Sequence, residues 1–85
     1  MKNQLTELQT AMIRKIATSE YNGADGGELN EASESQTWAD CIIESNQDKG
    51  TFTSLQNAGL VYHIAEGRDS LVGLTEAGFE YWKGV

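Results

Sequence analysis

The sequence predicts a small α+β domain, and three observations support this prediction. Near the N-terminus, apolar residues recur at spacings of three and four, which is the pattern of an amphipathic helix. Further along, a short helical segment ends at Gly59, and two β-prone runs follow it with Gly67 between them. A length of 85 residues is that of one domain.

The first helix is predicted over residues 6–19. Thr6 and Gln9 have the spacing of a capping box, in which the hydroxyl and the amide satisfy backbone N–H groups at the helix start. One apolar stripe runs along this helix and is formed by Leu5, Leu8, Met12, Ile13 and Ile16.

The middle of the chain is predicted to be a loop followed by a short helix. Residues 22–36 are acidic and rich in glycine, with one helical turn expected around residues 28–32. Such a loop is long for a compact domain, so we expect it to be either mobile or functional. The second helix is predicted over residues 37–44. Trp38 is expected in the core, the alternative being that it is partly exposed beside the acidic loop as an interface anchor.

The third helix is predicted over residues 48–58. Phe52 and Leu55 form its apolar side, and Gly59 can adopt the left-handed conformation that ends a helix. On a helical wheel, the side chains expected to point away from the apolar side are those of Thr53, Ser54 and Asn57, together with Gly50, while Lys49, Thr51 and Gln56 lie at the rim.

The last part of the chain is predicted to be a hairpin and a short helix. The β-prone runs are residues 60–65 and 70–74, and the glycine between them suits a tight turn. Thr75 can cap the final helix, from which Phe79 and Trp82 return to the core. The whole order of elements is that of a winged helix-turn-helix, with three helices, a β-hairpin wing and a short C-terminal helix in a single domain over residues 1–85.

Two short motifs add a family resemblance. Ser-Leu-Gln-Asn-Ala-Gly-Leu-Val at residues 54–61, followed by Leu-Thr-Glu-Ala-Gly at residues 74–78, resembles winged-helix regulators of the MarR type. The resemblance covers about residues 48–80 and implies a DNA-binding domain. By this resemblance, the side chains at the base edges would be those of Thr53, Ser54 and Asn57, and the wing-tip arginine would be Arg68.

The charge distribution argues against DNA as the partner. The chain has 13 acidic and 6 basic residues, for a net charge of −7. Residues 16–48 hold eight of the acidic residues and no Lys or Arg, and such a segment is repelled by phosphate. This block is either a solvated face or a surface for a basic protein, including one that normally holds DNA.

Two functions therefore remain open. In the first, a small transcriptional regulator binds double-stranded DNA, helped by a homodimer or a larger complex, through Lys49, Thr51, Thr53, Ser54, Gln56, Asn57 and Arg68. In the second, residues 25–48 bind a basic protein surface or mimic DNA, through Glu28, Glu31, Glu34 and Asp40.

Catalysis and cofactor binding have little support in the sequence. His63 is the only histidine and Cys41 the only cysteine, so the usual zinc site cannot be built, and no phosphate-binding loop occurs. We therefore expect neither an enzyme nor a cofactor. The single cysteine suits a reducing compartment, and no apolar run has membrane-spanning length, so the expected location is the cytoplasm.

Overall fold

A computed structural model of the chain describes residues 5–66 and 69–84. The described part contains four α-helices, one 3₁₀ turn and three strands, which confirms the predicted α+β class. In chain order these elements are α1 (Glu7–Ala17), the 3₁₀ turn (Ala32–Ser35), β1 (Thr37–Trp38), α2 (Ala39–Ile42), α3 (Asn46–Asn57), β2 (Val61–Glu66), β3 (Asp69–Leu74) and α4 (Glu76–Lys83).

The strands form one antiparallel sheet in the order β1-β3-β2. The hairpin of β2 and β3 pairs from Val61 opposite Leu74 to Glu66 opposite Asp69, as predicted, although the turn between the two strands lies outside the described residues. The third strand was not predicted. Thr37 pairs with a β3 residue, so the chain is extended where the sequence predicts the second helix to begin. That helix, α2, is therefore shorter than predicted at both ends.

Helix α1 follows its predicted capping chemistry. The backbone N–H of Thr6 donates to Gln9 Oε1 at 2.8 Å, and the Gln9 N–H donates to Thr6 Oγ1 at 3.1 Å, which completes the capping box. The buried side chains of this helix are those of Met12, Ile13, Ile16 and Ala17. The predicted apolar stripe is wrong at Leu8, which is 51% exposed.

The segment between α1 and β1 is folded around one buried amide. Asn22 is 3% exposed, and its Nδ2 donates to the carbonyls of Ile16 and Ala17 at 3.2 and 3.1 Å. Its Oδ1 accepts from the backbone N–H groups of Ala24 and Gly26 at 2.9 and 3.3 Å. One side chain thus satisfies carbonyls at the end of α1 and amides of the loop. The helical turn expected around residues 28–32 lies instead at the 3₁₀ turn.

The core lies between α1, α3 and the inner face of the sheet. The most deeply buried large apolar side chains are those of Ile13, Ile16, Ile42, Leu55, Val72 and Leu74. Phe79 and Trp82 pack against this core but stay half-buried. The placement of Trp38 in the core is wrong, since this side chain is 44% exposed.

The end of α3 and the start of α4 are joined by local hydrogen bonds. Gly59 has φ +77°, its N–H donates to the Gln56 carbonyl, and the Leu60 N–H donates to the Leu55 carbonyl, which is a Schellman motif. Thr75 Oγ1 donates to the Gly59 carbonyl at 2.6 Å and accepts from the N–H at the third position of α4. These bonds confirm both the predicted helix stop and the predicted cap.

The loop amide gives the first testable prediction. Asn22→Ala should lower the free energy of unfolding by about 2–4 kcal/mol, because it leaves buried carbonyls and amides without partners. Urea titration followed by circular dichroism measures this change, with Asn30→Ala on the exposed part of the same segment as the control. A loss below about 0.5 kcal/mol for Asn22→Ala would show that water replaces the amide.

The aromatic residues give the second prediction. Phe52→Ala should cost about 3–5 kcal/mol of unfolding free energy, because its ring is buried between α3 and the sheet. Trp82→Ala should cost less, about 1–3 kcal/mol, because that ring is half-buried. The same urea titration compares them, and equal losses would contradict the observed difference in burial.

Candidate nucleic-acid interface

Helix α3 begins with side-chain caps that orient it. Ser45 Oγ accepts from the Asp48 N–H at 3.1 Å, and the Asp48 carboxylate accepts from the Glu44 N–H at 2.9 Å. This backbone hydrogen bond, aided by the nearby Lys15 ammonium, lowers the pKa of Asp48 below its ordinary value of 3.8, against a weaker opposing effect of burial. The one acidic side chain of α3 is thus used at the helix start.

The exposed face of α3 carries no acidic side chain, although the chain as a whole is strongly acidic. Gly50 has open space around it, so a ligand could approach the helix backbone there. The exposed residues of this face, called the α3 face below, are Asn46, Gln47, Lys49, Gly50, Thr53, Gln56 and Asn57.

Two of the predicted contact residues lie on the other side of the helix. Ser54 was expected to point away from the apolar side, and this is wrong: Gln9 of α1 donates to Ser54 Oγ at 2.9 Å, and Ser54 Oγ donates to the Thr51 carbonyl at 2.7 Å. Thr51 is half-buried and lines a groove toward α1 that includes Met12 and Lys15. Helix α1 packs along that side of α3, so both residues lie at the contact between the two helices.

A shallow cleft of about 270 Å³ separates the α3 face from β2. Its apolar lining comes from Phe52 and Ile43, and three residues of the α3 face contribute its polar lining. His63 closes the cleft from β2, with its ring edge-on to that of Phe52 at a centroid distance of 6.4 Å. The position of His63 at this cleft was not predicted from the sequence. The available signal was strand alternation, since His63 lies two residues after Val61 and therefore on the same face of the sheet.

Few described cations lie near the α3 face. Lys49 is exposed on it. Lys15 is paired with Glu44 at 2.8 Å, so its charge is partly neutralised. Arg68, the predicted wing-tip contact, lies outside the described residues.

The acidic segment is only partly available for a partner. Glu34 Oε1 accepts from the backbone N–H groups of Asn30 and Glu31 at 2.7 and 3.3 Å, and this carboxylate thereby begins the 3₁₀ turn. Glu31 accepts from a neighbouring serine at 2.6 Å. Glu28 and Asp40 are exposed and have no such role among the described contacts.

The described residues show neither a candidate metal site nor a candidate membrane span. No group of three or more His, Cys, Asp or Glu side chains there could hold a metal ion. No helix within residues 5–66 and 69–84 is long and apolar enough to cross a membrane. Comparisons of the chain with protein-family models, curated proteins and solved structures found no match.

The cap at Asp48 gives a prediction on pH. Because its pKa is lower in the folded protein, Asp48 stabilises the fold above pH 3.8, and this contribution is lost as the pH falls through the lowered value. Urea titrations at pH 6 and at about pH 3 should therefore show a smaller acid-induced loss of stability for Asp48→Asn than for the unaltered protein. A matched Asp25→Asn variant in the exposed loop serves as the control; equal pH dependence of Asp48→Asn and wild type would contradict the capping role.

Proposed function

We propose that the chain is a winged helix-turn-helix domain that binds double-stranded DNA and regulates transcription. The order α1-β1-α2-α3-β2-β3 and the sheet order β1-β3-β2 support this proposal, because they set α3 beside a hairpin that starts directly after it. In this arrangement α3 enters the major groove, and the hairpin flanks it.

The observation that carries the proposal is the chemistry of the α3 face. Amides of Asn and Gln can pair with adenine in the major groove, and Thr hydroxyls contact several base edges. The α3 face offers Thr53, Gln56 and Asn57 within one helical turn of each other, and none of its side chains is acidic. In a chain of net charge −7, this is a surface from which phosphate is not repelled at close range.

Phosphate contacts come from the edge of the same surface. Lys49 lies at the cleft beside β2, and His63 faces it from the strand. We include His63 in the proposed interface as a hydrogen-bond donor to phosphate. Strong DNA binders neutralise about 6–10 phosphates, so one copy of this domain should bind weakly unless a second copy or a larger complex holds it on the DNA.

Base readout can be tested once a site has been selected from a random duplex library. Gln56→Ala and Asn57→Ala should each weaken binding to the selected site by about 1–3 kcal/mol, because each removes an amide from a base edge. Fluorescence anisotropy measures the loss, and Asn30→Ala, an exposed amide outside the α3 face, is the matched control. If both variants bind the selected site like wild type, α3 is not the reading helix.

Phosphate contact is tested by salt dependence. Lys49→Ala should make the negative slope of log K against log [salt] shallower by about 1, because one fewer counterion is released. Lys83→Ala removes the same charge from α4 and should leave the slope unchanged. Arg68→Ala is expected to behave like Lys49→Ala if the wing tip contacts phosphate. Equal slopes for Lys49→Ala and Lys83→Ala would remove Lys49 from the interface.

A further inference from the structure

The outer face of the sheet carries a row of apolar side chains across all three strands. Trp38 of β1 pairs with Leu71 of β3, and Leu71 pairs with Ile64 of β2. Directly paired residues of antiparallel strands point to the same face, so these three side chains lie side by side. The adjacent pair, Thr37 and Val72, is buried in the core, and the row of Trp38 therefore points to the opposite face.

Tyr62 extends this row. It pairs with Gly73, and its ring lies over that glycine, since a Cβ atom on Gly73 would stand 2.6 Å from Tyr62 Cζ. Burial raises the pKa of Tyr62, which fits a ring packed on the sheet. We call the surface formed by Trp38, Tyr62, Ile64 and Leu71 the outer patch.

The outer patch is separate from the core. Neither the buried core residues nor the half-buried side chains packed against them include any member of the patch. Trp38 is 44% exposed, and the other three are half-buried. An apolar surface outside the core that includes an exposed tryptophan is typical of a protein interface, where such a side chain serves as an anchor.

The negative charge of the chain distinguishes between the partners that could cover this patch. Asp40 is exposed two residues after Trp38, and residues 16–48 contain eight acidic residues and no Lys or Arg. A second copy would bring a net charge of −7 against −7, which opposes self-association, whereas a basic chain is attracted. We propose that the outer patch docks a protein segment that combines apolar side chains with Lys or Arg.

This docking surface leaves the proposed DNA surface free. The Phe52 ring of α3 contacts His63, which lies on the same face of the sheet as Val72 and hence opposite to the outer patch. A basic partner and DNA can therefore be held at the same time. Docking at the outer patch does not require DNA, so it can be tested in the absence of DNA.

The test uses two synthetic peptides of equal length with Leu and Phe at the same alternate positions. One peptide has Lys at the intervening positions, and the other has Glu. Titration of the ¹⁵N-labelled protein at low salt should shift the Trp38 indole signal and the amides of Ile64 and Leu71 with the Lys peptide, and should shift none of them with the Glu peptide. The α3 amides should not move with either peptide.

Matched variants distinguish specific binding at Trp38 from nonspecific hydrophobic or electrostatic binding. Trp38→Ser should lower the affinity for the Lys peptide by roughly tenfold or more. Leu8→Ser, which removes an exposed apolar side chain on α1, should leave that affinity unchanged. Asp40→Lys should also weaken binding, and Glu76→Lys, the same charge change on α4, should have a much smaller effect. The amide spectrum of each variant reports directly whether it is folded.

Three outcomes would overturn the proposal. Equal binding of the Lys and Glu peptides would show that charge does not select the partner. Absence of shifts at Trp38, Ile64 and Leu71 with the Lys peptide would remove the outer patch as its docking surface. Sedimentation that reveals a dimer of this protein, lost in Trp38→Ser, would show that a second copy covers the patch.

Discussion

The pairing of β1 with β3 is the contact on which the rest of the structure depends. It involves only Thr37 and Trp38, yet it makes β3 a central strand instead of the edge of a hairpin. An isolated two-stranded hairpin is marginal in water, and a third strand allows the inner face to seal a core. The Leu74 N–H donates to Ser35 Oγ at 2.7 Å. This buried hydroxyl lies two residues before β1, so the hydrogen bond holds the chain beside β3 where β1 begins.

That pairing also determines where the polar and apolar surfaces lie. Because Thr37 points inward, its neighbour Trp38 must point outward, and the row through Leu71 and Ile64 follows from the register. The short helix α2 then leads into α3, which packs on the opposite face of the sheet. The register of this two-residue strand thus places the apolar patch on one face of the sheet and α3 on the other.

The two surfaces differ in their charge. Residues 16–48 hold eight acidic residues, and some of these carboxylates accept hydrogen bonds from the backbone, as at Glu34 and Asp48. The α3 face carries side-chain amides, one hydroxyl and one lysine instead. In the proposed DNA complex, binding would rely on the geometry of hydrogen bonds to base edges more than on bulk attraction to phosphate. In the proposed protein complex, the outer patch would combine apolar contact with attraction to a basic chain.

The sequence by itself determined the α+β class, the capping box at Thr6, the helix stop at Gly59, the hairpin and the cap at Thr75, because each depends on residues a few positions apart. Only the tertiary structure decided that residues 37–38 form a strand, that Trp38 is exposed, that Asn22 organises the loop and that Ser54 faces α1. A two-residue strand has no periodicity to detect, and a helical wheel fixes angles about one axis without saying which sides the neighbours cover. The partners of Thr37, Trp38 and Ser54 are distant in the chain, so the placement of these three residues becomes defined only when the core closes. Asn22 bonds residues two to six positions away, but within a loop that has no periodic pattern to reveal it.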